Sequence, residues 1–322
     1  MTPERFLEII SQIKGEVGKI LVGQEEVLDF LLMALIARGH ALIEGVPGLG
    51  KTLLVRSLSQ VLNLSFSRIQ FTPDLMPADV TGTMVLEEEN GKRRFRFQEG
   101  PIFAHIILAD EVNRATPKTQ SALLEAMQEN QVTVSKRTYP LPQPFYVFAT
   151  QNPIEMEGTY PLPEAQLDRF LFKILIGYPS DLEMLEILSR TTTSYDPNLR
   201  PVCEREELGE MSALARDVPV ATPVYSYAIR LMEATRPQSP GTLEVVRRYV
   251  RYGASPRAAQ ALILAAKVRA LMKGRFNVSF QDVEEVALPC LRHRIILNFE
   301  AQAEGLHPDF IVQEVLKGTP LK

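Results

Sequence analysis

Apolar residues recurring at three- and four-residue steps, Phe6, Ile9, Ile10, Ile13, Val17 and Ile20, predict an amphipathic helix over residues 4–20. A second, more apolar helix is expected from Glu25 to about Arg38, carrying Leu28, Leu31, Leu32, Leu35 and Ile36 and closed by Gly39. Short apolar runs bounded by polar or turn residues then predict buried strands at His40–Glu44, His105–Ala109, Phe145–Ala149 and Phe170–Ile176. Ser65–Phe71 alternates and reads as a further strand. Between these runs, helices are expected after Leu53, after the cap Thr116-Pro117, and over Leu162–Arg169. Two hairpins are expected as insertions: one around Asn90-Gly91 within 72–101, the other over 131–144.

Beyond Pro179 the pattern changes. Helical segments at 181–190, 204–216, 223–235, 242–252, 256–273 and 279–297 follow one another with no further strand. The expected organisation is an α/β domain over 1–178 and an all-helical domain over 179–322.

The chemistry enters between the first predicted strand and the helix after it. Gly45-Val46-Pro47-Gly48-Leu49-Gly50-Lys51-Thr52 fits the pattern G-x-x-x-x-G-K-[ST], and Leu53 opens the helix. The glycines let backbone N–H groups approach an anion at a helix N-terminus. Lys51 adds a mobile ammonium for the outer phosphates, and the Thr52 hydroxyl can ligate Mg²⁺. Asp110-Glu111 ends the strand His105–Ala109, where nucleotide chemistry is done in open α/β sheets. One carboxylate suits Mg²⁺ through its water shell, and the other suits orienting or deprotonating an attacking water. Asn152 ends the next predicted strand, where its amide can meet that water or the terminal phosphate. ATP and Mg²⁺ are the expected cofactors.

Composition narrows the alternatives. A 322-residue chain with 35 basic and 39 acidic side chains, net charge -4, carries no global excess of cations for nucleic acid or an anionic membrane. The cations that cluster, Lys92, Arg93, Arg94, Arg96, Lys136 and Arg137, lie in the predicted hairpins, the first of which also holds Glu87, Glu88 and Glu89. Cys203 and Cys290 cannot form a disulfide framework or a cysteine metal cluster, and the four histidines show no ligand spacing. The N-terminal segment has no signal-peptide pattern and no run is long enough to span a membrane, so a cytoplasmic setting is expected.

The motifs together resemble the AAA+ ATPases, and within them the MoxR group. GVPGLGKT at 45–52, TPDLMPADVTG at 72–82, the run from Glu99 to Glu129 containing ILADEVNRATP, the run from Phe148 to Phe170, and GASPRA at 253–258 carry the likeness over nearly the whole chain. The resemblance implies a five-stranded parallel sheet in the order 5-1-4-3-2, a helical lid, and a homo-oligomeric ring, usually of six subunits. It also implies roles for residues that spacing alone does not assign. Val22, Gly23 and Gln24 would lie beside adenine, Arg169 would complete a neighbour's site as an arginine finger, and Arg257 would reach the phosphates from the lid. The hairpins would face a pore or substrate, whereas the sequence leaves undecided whether Gln70 restrains Glu111 or Arg114 contacts a neighbouring subunit. The implied activity is ATP hydrolysis coupled to remodelling or maturation of a protein client, including one with a von Willebrand factor A domain. A nucleic-acid motor of the same branch and a metal-chelatase ATPase subunit are the competing readings.

Overall fold

The computed structural model describes residues 1–89, 92–153, 159–195 and 197–321. Five strands, β1 (His40–Glu44), β2 (Phe66–Gln70), β3 (Ile106–Asp110), β4 (Tyr146–Gln151) and β5 (Phe170–Leu175), form one parallel sheet in the order β2-β3-β4-β1-β5. Read from the opposite edge, this is the 5-1-4-3-2 order that the motifs led us to expect.

Period-two geometry explains why the central strands β3 and β4 are apolar on both faces up to their C-terminal tips. Ile106, Leu108, Tyr146 and Phe148 point into one hydrophobic layer, while Ile107, Ala109, Val147 and Ala149 point into another. The first layer is closed by Ile9 and Ile13 of helix Pro3–Val17, Leu31 and Leu35 of helix Glu25–Ile36, and Leu54 and Leu58 of helix Lys51–Val61. Leu123 and Met127 of helix Pro117–Glu129 close the second. Helices Pro3–Val17 and Lys51–Val61 seal the sheet with an apolar face, helix Glu25–Ile36 is buried all round from Leu31 to Ile36, and the C-terminal strand tips border a cleft.

The first layer continues without a break into the C-terminal helices. Leu208, Tyr227, Leu262, Val286 and Val315 belong to the same cluster as Phe6 and Leu31. Helix Pro256–Met272 packs on both N-terminal helices, so the ends of the chain share one core.

Several details depart from the sequence reading. The C-terminal part is not wholly helical: Val250–Tyr252 pairs antiparallel with Ile296–Leu297, so the expected helices 242–252 and 279–297 stop at Tyr249 and Leu291. β-Branched and aromatic residues at both places favour an extended pair over a last helical turn. Helices Phe299–Ala303 and Pro308–Gly318 follow, the second opened by His307 as a cap and Pro308 in its first turn. The second N-terminal helix is closed by Arg38 in the left-handed conformation, φ 56°, not by Gly39.

Both hairpins are present. Gly82–Glu89 pairs with Lys92–Glu99, and Gln131–Val134 with Arg137–Pro140. The Asn90-Gly91 turn lies outside the described residues. Phe97 stacks on Tyr139 with ring centroids 3.9 Å apart, fixing one hairpin to the other. Among the described residues, no helix is long and apolar enough to cross a membrane.

Candidate active site

The loop between β1 and helix Lys51–Val61 is shaped by two different uses of glycine. Gly48 and Gly50 adopt φ of +86° and +76°, which other residues rarely do. Gly45 has no such φ; a Cβ there would lie 2.9 Å from the Ile176 carbonyl oxygen, so close approach to the end of β5 is what demands glycine. Lys51 Nζ donates to the carbonyls of Gly45 at 2.6 Å and Val46 at 2.8 Å, bracing the loop. Burial lowers the proton affinity of Lys51, and the Asp110 and Glu111 carboxylates oppose that shift. Pro47 through Leu53 form one wall of a cleft of about 420 Å³.

The opposite wall is built by strand register. Gln70 is paired with Asp110 between β2 and β3, and Ala109 with Ala149 between β3 and β4, so three strand tips converge. Thr150 Oγ1 donates to Asp110 Oδ1 at 2.6 Å and accepts the Glu111 amide at 2.8 Å. Arg68 donates to Asp110 Oδ2 from Nε at 3.0 Å and from Nη2 at 2.6 Å. Glu111 is left-handed, φ 55°, a conformation that costs a residue with a Cβ on the order of 1 kcal/mol. That bend turns its carboxylate toward Gln70 Nε2 at 2.7 Å and Arg114 Nη1 at 2.9 Å, both donating to Oε2. Asn152 is buried and lines the same cleft.

Arg68 and Thr150 were missed by the sequence reading. Arg68 alternates with Ile69 and so reads as a solvent-facing strand residue. Thr150 had one signal, its place two residues before Asn152 on a strand ending at the chemistry.

The remaining candidates lie around this cleft. Val22, Gly23 and Gln24 line an adjoining hollow of about 390 Å³ with Lys14, Leu21 and Arg190. Gln24 Nε2 donates to the Leu49 carbonyl at 2.9 Å, joining that hollow to the phosphate loop. Arg169 and Arg257 do not line the cleft. Arg169 Nη1 donates to the Leu124 carbonyl on the far face of the sheet, and Arg257, largely exposed, stands 4.0 Å from Asp168 Oδ2. Asp168 itself ties the C-terminal helices to β5, accepting from Ser255 at 2.8 Å and from the buried Arg294 at 2.7 Å. A further cleft of about 470 Å³ lies at the other end of the sheet, by Arg38, His40 and Arg205, away from the carboxylates.

The donor set fits Mg²⁺. Among the described residues no three His, Cys, Asp or Glu side chains form a metal cage. The Thr52 hydroxyl and the Asp110 carboxylate instead offer hard oxygens on facing walls of the cleft, suiting an ion that takes its other ligands from phosphate and water. Glycine-loop amides, an ammonium and a cornered carboxylate make a site for a polyphosphate attacked by water.

Comparison with known proteins agrees. The profile of the ATPase family associated with various cellular activities (AAA) matches residues 40–172, and that of the AAA lid domain matches 243–315. Chaperone MoxR1 of Mycobacterium tuberculosis is 45% identical over 95% of this chain and 80% of its own length. Protein MoxR of Methylorubrum extorquens is 31% identical over 94% of this chain and 92% of its own. A crystal structure of a Cytophaga hutchinsonii protein, provisionally designated an ATPase, superposes with a TM-score of 0.92 at 44% identity, covering 99% of this chain and 96% of that one. The chain belongs to the MoxR family of AAA ATPases and is an ATP hydrolase.

Proposed function

We propose that this chain binds ATP with Mg²⁺ in the cleft and uses hydrolysis there to remodel or mature partner proteins in the cytoplasm. The observation that carries the reading is Glu111, turned into the cleft beside Asp110 and held by Gln70 and Arg114. Lys51 exchanges its two loop carbonyls for the outer phosphates, and Thr52 and Asp110 hold the metal. Mg²⁺, when bound, neutralises charge on the phosphates. Glu111 takes a proton from water or orients it, and Asn152 hydrogen-bonds the water or the terminal phosphate. Val22, Gly23 and Gln24 flank the adenine.

In this reading residues 1–178 form the nucleotide-binding domain and 179–322 the lid, and subunits assemble as a ring of six. Arg169 then serves the neighbour's phosphate and Arg257 reaches the nucleotide as the lid moves. Both arginines stand outside their own cleft in the single chain, which suits roles that need a second subunit or a domain movement.

A protein client is favoured over nucleic acid by the first hairpin. Two of its cations are offset, Arg93 by Glu88 and Arg96 by Glu87, each at 3.4 Å. Leu86 and Phe95, directly opposed across the strands, are 55% and 71% exposed, an apolar pair that joins neither hydrophobic cluster of the described residues. A client bearing a von Willebrand factor A domain is the partner class we infer from the family resemblance. The test is capture by a Glu111→Gln chain under ATP. A protein retained with ATP and released without it is expected; retention of nucleic acid alone would refute the reading.

A further inference from the structure

Arg68 sits on the edge strand β2, opposite Leu108, with Gln70 opposite Asp110. That register carries its guanidinium to the tip of β3. Nε and Nη2 both donate to Oδ2 of Asp110, and Nη2 also donates to Gln70 Oε1 at 2.7 Å. With its oxygen engaged by Arg68, the Gln70 amide has its nitrogen turned to Glu111 Oε2. Asp110, Arg68, Gln70 and Glu111 therefore form one continuous hydrogen-bonded chain. It runs from the acid to which the proposed function gives the metal to the acid to which it gives the attacking water.

A guanidinium and a divalent cation repel one another and compete for the same carboxylate oxygen. We propose that Arg68 is a positioning residue that gates metal loading. Its guanidinium occupies Asp110 Oδ2 until Mg²⁺-bound nucleotide enters. The proposal rests on the reading of Asp110 as the metal-facing acid. The two-state element is the Arg68 side chain, half-exposed and able to move without disturbing the core.

The gate predicts a defined energetic signature. Since Arg68 must leave Asp110 only when Mg²⁺ arrives, its removal should strengthen the benefit that Mg²⁺ confers on nucleotide binding. Binding of a fluorescent β,γ-imido analogue of ATP is measured on the full chain, once with excess Mg²⁺ and once with excess chelator. For Arg68→Met the dissociation constant in chelator divided by that in Mg²⁺ should exceed the wild-type ratio about five- to tenfold, as expected for losing a part-exposed, charge-assisted competitor. Arg68→Lys, which keeps the charge but not the forked contact, should raise it less. A direct contact of Arg68 with phosphate would make Arg68→Met bind more weakly in both conditions, whereas loss of the gate tightens binding in Mg²⁺ and leaves binding in chelator unchanged. A ratio for Arg68→Met equal to or below that of the wild type overturns the gate, even where both bind nucleotide normally. If Arg68→Met does not fold, the same criterion applies to Arg68→Lys. Failure of the wild type to bind under either condition would instead remove the cleft assignment on which the gate depends.

Discussion

Thr150 Oγ1 donates its proton to Asp110 Oδ1 at 2.6 Å and itself accepts the amide of Glu111 at 2.8 Å. One fully buried hydroxyl thus fixes the side chain of the first acid and the backbone of the second. Thr150→Val keeps the shape but strips both partners, which should cost about 1–3 kcal/mol of stability. It should also lower ATP turnover at least about tenfold, since a small misplacement of reacting groups is costly. Thr150→Ser should retain most of both. Thermal melting and steady-state hydrolysis check the pair; a Val variant with wild-type turnover would remove Thr150 from any positioning role.

Arg169 donates to the carbonyl of Leu124 and lies outside its own chain's cleft. If it serves a neighbour, Arg169→Ala should lose about 10³-fold or more in turnover. Mixing that variant with Lys51→Ala should restore part of the activity, because each spoils a different half of a shared site. With subunit exchange verified by differently tagged chains, absence of recovery at every mixing ratio would refute action in trans.

His40 titrates where the fold can be tested without nucleotide. Its Nδ1 accepts the Val147 amide at 3.0 Å, which leaves Nε2 to donate to the Met127 carbonyl at 3.2 Å. Protonation would break the first bond, and burial pushes the imidazole pKa from 6.5 down to about 4. The unfolded chain therefore takes up a proton that the native state refuses. Stability contributed by His40 is present above pH 6.5 and is lost as pH falls from there toward about 4. The loss is on the order of 2 kcal/mol, discounted because the ring borders the cleft below the sheet. His40→Gln should be the less stable protein at about pH 7.5, with the gap closing by about pH 5 in denaturant midpoints. A constant gap would contradict the account.

The strands and the glycine loop were legible because their constraints are local. Burial on both faces makes β3 and β4 apolar up to their polar C-terminal tips, and a phosphate cradle needs its residues adjacent in the chain. Arg68 was not legible, because only the register of β2 against β3 brings it to Asp110, and register is not written in either strand alone. The ribbon of Val250–Tyr252 with Ile296–Leu297 escaped for the same reason: its two halves are too short to declare themselves and exist only as a pair. Arg257 was readable as a helix-opening residue after Pro256, but its distance from the loop depends on how the lid sits, which no local pattern records.

The account turns on Glu111 acting on water above a bound triphosphate. The most direct test sets ATP affinity against turnover in Glu111→Gln, an isosteric change that keeps the contacts of the side chain and removes its basicity. We predict Mg²⁺·ATP binding within about threefold of wild type and turnover reduced at least about 10²-fold. Turnover at the wild-type rate with normal binding would contradict it.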